Sequence, residues 1–254
     1  MTLAETANIS ADLAARLRVA RRVVALTGAG ISAESGIPTF RDAMTGLWAR
    51  FRPEELATPE AYMRDPKLVW DWYAWRRSRV EAAEPNAGHR ALVELEARVP
   101  EFLLVTQNVD GLHARAGSRR IAELHGNIMR TKCFDCDRVA GELEQWGDAV
   151  PPSCRYCGGM LRPDVVWFGE MLPAEALGEA MRASTISDVF LSVGTSTVVE
   201  PAASLPFYAL RGGAVVIEVN PDPTPLTPHA SFSLRGPAAT VLPELVAAVF
   251  PEGR

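Results

Sequence analysis

The sequence contains no run of about 18 apolar residues, so it offers no segment long enough to cross a membrane as a helix. Its first 22 residues place acidic and basic side chains among the apolar ones, which argues against a secretory signal peptide. An excess of positive charge is also missing, because the net charge is -5. Nothing therefore favours direct binding of nucleic acid. We expect a cytoplasmic, monomeric protein that acts on neither membranes nor nucleic acid.

What the chain does contain is typical of a globular enzyme, with 48% hydrophobic and 22% charged residues over 254 positions. An amphipathic helix is expected around Leu13 and Leu17. Apolar runs that predict buried strands follow at residues 23–26, 102–106, 189–193 and 215–219. Helix-length segments separate these runs, and that alternation predicts an α/β protein with a parallel sheet.

Small or polar residues follow the end of each predicted strand. Ligands of parallel α/β sheets bind beyond the carboxyl ends of the strands, so these residues should converge on one binding edge. They are Gly28, Ala29, Gly30, Gln107, Asn108, Val109, Asp110, Gly194, Thr195, Ser196, Asn220, Pro221 and Asp222.

Two stretches interrupt the alternation of strands and helices. Residues 42–85 are rich in tryptophan and arginine and are expected to be helical, and residues 131–162 hold every cysteine. We interpret both as insertions that form a small lobe on a discontinuous main domain made of residues 1–41, 86–130 and 163–254. No repeat or Gly/Ser linker separates the lobes, and the cleft between them is the expected binding site.

The four cysteines form two C-x-x-C pairs separated by 17 residues, namely Cys133, Cys136, Cys154 and Cys157. This spacing is typical of a tetrathiolate zinc site built from two tight turns. Four thiolates leave no open coordination position, so the zinc is expected to be structural. A zinc ribbon that binds nucleic acid is disfavoured, because the residues between the pairs are acidic rather than basic.

The glycines after the first predicted strand would allow a backbone to approach a pyrophosphate. The loop departs from the usual dinucleotide fingerprint, since the next glycine after Gly30 is Gly36 and no acidic residue follows a second strand at the customary distance. A hydride-transferring dehydrogenase is therefore disfavoured.

Residues 28–41, GAGISAESGIPTFR, closely resemble the cofactor loop of the sirtuins. The resemblance continues in order through TQNVDGLH (106–113), HGN (125–127), both C-x-x-C pairs, VVWFGE (165–170), GTS (194–196) and VNP (219–221). It covers about residues 20–245. It implies a Rossmann-like NAD domain with a smaller inserted helical and zinc-binding lobe, which agrees with the strand and insertion pattern.

The resemblance implies an enzyme that removes acyl groups from lysine side chains of proteins and peptides. NAD is consumed as co-substrate, nicotinamide is released, and the acyl group leaves on ADP-ribose. His125 is the expected general base, since a neutral imidazole can accept a ribose hydroxyl proton. Asn108 and Asp110 complete the expected catalytic group, whereas His89, His113 and His229 are expected to be structural.

The same resemblance implies a set of NAD contacts. Loop amides, hydroxyls and short polar side chains would meet phosphates and riboses. The set is Gly28, Ala29, Gly30, Ala33, Thr39, Phe40, Arg41, Trp48, Gln107, Asn108, Val109, Asp110, His125, Gly194, Thr195, Ser196, Asn220, Pro221, Asp222 and Ala238.

Substrate contacts are expected from two further segments. Val166, Phe168, Gly169 and Glu170, facing the Glu200-Pro201 segment, resemble the edges between which sirtuins add a peptide as a strand. Tyr73 and Arg76 share a helix face and resemble the pair by which one sirtuin class binds acidic acyl groups such as succinyl or malonyl. Acetyl-lysine is expected to be accepted as well.

Two other functions stay open from the sequence. Protein mono-ADP-ribosyl transfer uses the same cleavage of NAD with another acceptor. A non-catalytic module that binds NAD or acyl-lysine is the second alternative, and the presence of His125, Asn108 and Asp110 argues against it.

Overall fold

A computed structural model describes residues 9–37, 52–140 and 150–251 of the chain. The helices are α1 (Ala11–Val19), α2 (Gly30–Ala33), α3 (Pro53–Leu56), α4 (Pro59–Arg64), α5 (Pro66–Ala82), α6 (Ala87–Arg98), α7 (Leu112–Ala116), α8 (Ala174–Ile186), α9 (Leu205–Arg211) and α10 (Ala238–Val249). The strands are β1 (Arg22–Thr27), β2 (Glu101–Thr106), β3 (Ile121–Glu123), β4 (Gly126–Cys133), β5 (Leu161–Val165), β6 (Val189–Val193), β7 (Val215–Val219) and β8 (Phe232–Leu234). Within these ranges no helix has the length and apolar character that a membrane span requires.

The main sheet has six parallel strands in the order β3-β2-β1-β6-β7-β8. Counted along the chain among the strands of this sheet, the order is 3-2-1-4-5-6, which is that of the doubly wound dinucleotide-binding fold. The order reverses between β1 and β6, and the crevice beyond their carboxyl ends is where such folds bind ligands. The Rossmann-like parallel sheet expected from the sequence is confirmed.

The central strands are buried on both faces, which explains why they are continuous apolar runs in the sequence. Val23 and Ala25 of β1 face a core shared with α1, α6 and α10. Val24 and Leu26 face the opposite core, which includes residues of α8 and α9. All four apolar runs predicted from the sequence form strands of this sheet.

A second, antiparallel pair of strands, β4 and β5, forms the other part of the molecule together with α3, α4 and α5. Its core is aromatic: Tyr62, Trp72, Tyr73 and Trp167 are all buried there. The hydroxyl of Tyr62 donates to the carbonyl oxygen of Leu161, 2.5 Å away, and thereby ties α4 to β5. Residues of both sequence insertions therefore share one core.

Helix α5 carries one wall of this aromatic core. It begins at Pro66, whose fixed φ suits the first helical turn, and the side chain of Asp65 accepts a hydrogen bond from the amide of Leu68 at 3.0 Å. Its inward face includes Trp72 and Tyr73, and Arg76 follows one turn later on that face.

Candidate active site and metal centre

The loops after β1 and β6 interlock at the point where the strand order reverses. The amide of Gly28 donates to the carbonyl of Val193 at 3.0 Å, and the amide of Gly30 donates to the carbonyl of Gly194 at 2.9 Å. A Cβ atom on Gly28 would lie 2.7 Å from the Gly194 oxygen, and one on Gly30 would lie 2.7 Å from the Gly194 Cα. Only glycine permits this approach, so these residues set the floor of the crevice.

Asn108 and Asp110 follow β2 and are both buried beside the first loop. The side-chain amide of Asn108 donates to the carbonyl of Gly28 at 3.0 Å and to the hydroxyl of Ser32 at 3.2 Å. Ser32 in turn donates to the carboxylate of Asp110 at 2.7 Å. The two expected catalytic residues are therefore joined through Ser32, which the sequence reasoning did not single out although it lies within the sirtuin-like stretch 28–41.

Burial raises the pKa of the Asp110 carboxyl above its ordinary value. Hydrogen bonds from the Leu112 amide and from Ser32 oppose that shift, as do the positive charges of Arg115 and Arg76. A carboxyl group held in this way is a strong hydrogen-bond acceptor that is screened from water.

His125 lies just before β4 and is half-buried. Its Nδ1 is 2.8 Å from the carbonyl oxygen of Gln107, which can only accept, so Nδ1 carries the proton and Nε2 is left as the basic nitrogen. Burial lowers the pKa of His125 below its ordinary value, and the bond to Gln107 acts in the opposite direction. The imidazole is therefore neutral at physiological pH and able to accept a proton.

Side chains from three strand ends are joined across the crevice. The amide of Gln107, after β2, donates to the Thr195 hydroxyl at 2.8 Å. The amide of Asn220, after β7, donates to the Thr195 carbonyl at 3.2 Å. The convergence of strand-end residues expected from the sequence is thus present as a hydrogen-bonded network.

Tyr73 projects from α5 into the aromatic core, and Arg76 lies half-buried beside it, one turn further along the helix. The Tyr73 hydroxyl accepts a hydrogen bond from Trp167 Nε1 at 3.0 Å, and burial raises the pKa of this phenol. The Arg76 guanidinium lies 5.0 Å from the ring centroid of Trp72 and 5.3 Å from that of Tyr73. Burial lowers the pKa of Arg76 in this apolar setting. Trp167, which anchors Tyr73, is a further residue that sequence reasoning missed.

The segment after β5 runs beside the histidine. The amide of Val166 donates to the carbonyl of His125 at 2.9 Å, and the side chain of Phe168 is 44% exposed. The carboxylate of Glu170 accepts from the Trp167 amide at 2.7 Å and from the guanidinium of Arg162. Glu170 therefore fastens the turn at residues 167–170, with Gly169 in the left-handed region at φ 87°.

The four thiols lie together as the spacing of the cysteines predicts. All four Sγ atoms are within 4.8 Å of one another, with 3.4 Å between Cys133 and Cys157 and 3.8 Å between Cys136 and Cys154. Tetrahedral zinc with Zn–S bonds of about 2.3 Å requires Sγ separations of about 3.8 Å, which this cluster approaches. The set of donors fits a structural Zn²⁺ and provides no position for a catalytic water.

The metal centre and the aromatic core are in contact through Phe134, which lies between Cys133 and Cys136. Its ring centroid is 5.3 Å from that of Tyr62 and 6.4 Å from that of Trp167. The metal-binding turn therefore packs on the residues that surround Tyr73.

The other histidines have structural environments. His89 and His113 are buried with ring centroids 4.8 Å apart. The Nδ1 of His89 accepts from the Asn86 amide at the start of α6, and the Nε2 of His113 is 2.9 Å from the Thr27 hydroxyl. Burial lowers their pKa values to about 4 and about 3 respectively, so both are neutral. His229 packs edge-on against a phenylalanine ring 5.6 Å away.

The remaining expected NAD contacts fall into two groups. Ala29, Ala33, Val109, Ser196, Pro221 and Asp222 are exposed or half-buried around the crevice, whereas Ala238 is buried at the start of α10 beside Gly88. The residues that lie outside the described part of the chain are Thr39, Phe40, Arg41 and Trp48.

The family model described as Sir2 family matches residues 28–201 of the chain. Among curated proteins, the NAD-dependent protein deacylase of Thermus thermophilus is 58% identical over 224 residues, which cover 87% of each chain. The enzyme of the same name from Aquifex aeolicus is 56% identical over 220 residues, covering 87% of this chain and 92% of the relative.

Solved structures of Sir2 proteins are also similar to this chain. A Sir2 homologue in complex with NAD superimposes with a TM-score of 0.89 at 50% identity, covering 96% of this chain and 95% of the other. A Sir2 protein bound to an acetylated peptide superimposes with a TM-score of 0.84 at 29% identity, covering 94% of this chain and 98% of the other.

Proposed function

The chain belongs to the Sir2 family and is an NAD-dependent protein deacylase, and from that premise we propose that it removes succinyl and malonyl groups from lysine side chains, and acetyl groups as well. The observation that carries the acidic-acyl preference is the placement of Tyr73 and Arg76 side by side among the buried aromatic rings. Products are the free lysine, nicotinamide and O-acyl-ADP-ribose.

The residues that would hold NAD surround the crevice at the strand ends. Gly28, Ala29, Gly30 and Ala33 offer a close-packed backbone, and two further loops supply amides and hydroxyls: the phosphate loop, residues 194–197, and the adenosine loop, residues 220–224. When bound, NAD supplies an ADP-ribosyl group that is activated by its nicotinamide leaving group.

His125 acts as the general base. Because its Nδ1 proton is held by the Gln107 carbonyl, Nε2 is oriented to accept a proton from a ribose hydroxyl. Asp110 accepts from the carboxamide of nicotinamide, and its fixed hydrogen bonds from Ser32 and Leu112 keep the carboxylate in place. Asn108, anchored to Gly28, holds a ribose hydroxyl or an ordered water.

The preference for an acidic acyl group follows from the electrostatics around Tyr73 and Arg76. Burial penalises the charged form of Arg76, and a carboxylate at the end of the acyl chain would offset that penalty by a charge-assisted, bidentate contact. The Tyr73 oxygen accepts from Trp167, so its own proton can be donated to the same carboxylate. An acetyl group lacks the carboxylate but creates no clash, and it is accepted with lower efficiency.

The peptide around the acyl-lysine binds as an extended strand between residues 168–170 and the segment at Glu200. Main-chain pairing of this kind imposes little sequence preference, and many proteins can serve as substrate. Two apolar side chains at this edge are exposed, Phe168 and Met171, the latter by 91%.

Mass spectrometry on succinyl-lysine, malonyl-lysine and acetyl-lysine versions of one peptide, each with and without NAD, tests the proposal. The expected result is NAD-dependent removal of all three groups, with succinyl and malonyl lost faster. Removal of acetyl alone would refute the acidic-acyl preference. Transfer of ADP-ribose to the peptide, or no change in any peptide, would instead favour an ADP-ribosyltransferase or a binding module.

A further inference from the structure

We propose that Glu218, a buried carboxylate near the end of β7, positions both the phosphate loop and the adenosine loop without contacting NAD itself. The inference rests on the proposed assignment of these two loops to NAD. It concerns a residue that no motif in the sequence indicates.

Glu218 is 1% exposed, and four side chains donate to its carboxylate. Thr224 donates to one oxygen by a short hydrogen bond. Thr227, Ser233 and Arg235 converge on the other oxygen at 2.7, 3.3 and 3.1 Å. The carboxylate is therefore the centre of a polar cluster beneath the loop that follows β7.

Arg235 connects this cluster to the backbone of the adenosine loop. One arm of its guanidinium contacts Glu218 and the Thr227 hydroxyl, both at 3.1 Å. The other arm donates to the carbonyl of Asp222 at 2.9 Å and, more weakly, to that of Asn220 at 3.4 Å. The orientation of Arg235, and with it the path of residues 220–222, is thus set by the buried charge.

A second connection reaches the phosphate loop. The hydroxyl of Thr197 donates to the Thr224 hydroxyl at 3.0 Å, and the Thr224 hydroxyl in turn donates a hydrogen bond to Glu218. Thr197 adopts φ 51°, a conformation uncommon for a β-branched residue, and its amide is 3.4 Å from the Thr195 hydroxyl. The contact with Thr224 helps to hold this residue, and therefore the loop, in that conformation.

Packing alone does not explain a glutamate at this position. The neighbouring positions Ile217 and Val219 are apolar, and an apolar side chain could fill a buried strand position without any of these partners. A buried carboxylate is costly unless it is paired and hydrogen-bonded. What the polar cluster provides, and an apolar side chain could not, is a set of directed bonds to two loops.

Three variants and one control test the proposal on the full chain. Glu218→Gln removes the charge at nearly constant shape, Arg235→Lys keeps the charge but cannot reach both Glu218 and the loop, and Thr227→Val removes one donor to the carboxylate. Arg120→Lys is the control, because Arg120 pairs with Glu179 at the amino end of β3, at the opposite edge of the sheet.

Calorimetric titration with ADP-ribose and with an acyl-lysine peptide provides the readout, together with steady-state kinetics. We expect the Kd for ADP-ribose and the KM for NAD to rise about tenfold in Glu218→Gln, Arg235→Lys and Thr227→Val, comparable to the loss of metal affinity when a residue that orients a metal ligand is removed. The kcat at saturating NAD and the Kd for the peptide should stay close to those of the wild type and of the control.

Unchanged ADP-ribose binding in folded variants would overturn the proposal, as would equal losses for ADP-ribose and peptide, which would indicate a general loss of structure. If Glu218→Gln does not fold, Arg235→Lys and Thr227→Val decide the question by the same criteria. A wild-type chain that fails to bind ADP-ribose would refute the loop assignment and this inference together. A wild type that binds ADP-ribose but does not remove succinyl groups would refute only the acyl preference.

Discussion

Replacing Arg76 by methionine should separate the acidic from the neutral substrates. Methionine keeps an unbranched, helix-compatible side chain, so α5 is retained while the guanidinium is lost. A hydrogen bond to a charged group contributes about 1.5–3 kcal/mol, and about 1.4 kcal/mol corresponds to a factor of ten. We therefore expect kcat/KM for desuccinylation to fall by about 10–150-fold, while kcat/KM for deacetylation stays constant or rises because the pocket becomes more apolar.

The assay compares succinyl-lysine and acetyl-lysine versions of one peptide at saturating NAD by quantifying free lysine peptide. Arg79→Met is the matched control, since Arg79 lies on the exposed side of the same helix, over the ring of Trp75. Its ratio of succinyl to acetyl activity should equal that of the wild type. An Arg76→Met variant whose two activities fall equally, or whose succinyl activity is unchanged, would contradict the assigned role of Arg76.

Four further predictions concern the histidines and the metal. His125→Ala should lower kcat by at least about a hundredfold while ADP-ribose still binds by calorimetry. In the wild type the acid limb of kcat/KM against pH should lie below about 6.5, since burial lowers the pKa of His125; a limb above that value would exclude it as the base. His89 and His113 have lowered pKa values of about 4 and about 3 in the folded chain. A histidine in the unfolded chain has a pKa near 6.5, so below that pH the unfolded state binds more protons than the folded state. The free energy of unfolding should therefore fall as pH drops from about 7 towards 4, and urea titrations should show a shallower fall in His113→Asn. Metal analysis should find one zinc per chain, and strong chelators or Cys154→Ser should remove it and lower Tm; an equally stable zinc-free protein would rule out the tetrathiolate site.

The main sheet could be predicted because its central strands are buried on both faces, which leaves continuous apolar runs in the sequence. The edge strands β3 and β8 were not predicted, since each has only three residues and is partly buried. Strands β4 and β5 were missed for a different reason: polar residues interrupt both of them, and their pairing includes a register shift that no sequence period reveals. The strands that were predicted are therefore those whose sequences are uninterrupted apolar runs.

The candidate site was predictable where chemistry follows a strand end. Asn108, Asp110 and Thr195 were named because they come directly after apolar runs, and the fold brings them together. Ser32 was missed because a single serine in a short turn has no periodic signal, and its role depends on a contact with Asp110 that is 78 residues away in sequence.

Two acidic residues show the other limit of sequence reasoning. Glu170 was expected at the peptide edge, but its carboxylate is bound to Arg162 and to the Trp167 amide. Glu218 lies inside an apolar strand run, where a carboxylate gives no indication of whether it has partners. In both cases the role depends on which arginine the fold places nearby.

Because Phe134 packs on Tyr62 and Trp167, the binding of zinc should be coupled to the binding of substrate, and each should raise the affinity for the other. If zinc stabilises the turn that carries Phe134, and that turn supports the walls of the acyl pocket, then zinc must strengthen binding of an acyl peptide. By the same linkage the peptide must raise the affinity of the chain for zinc, so that more chelator is needed to remove the metal at equilibrium. A reagent that extracts the metal would then act as a competitor of the substrate, although the two never occupy the same space.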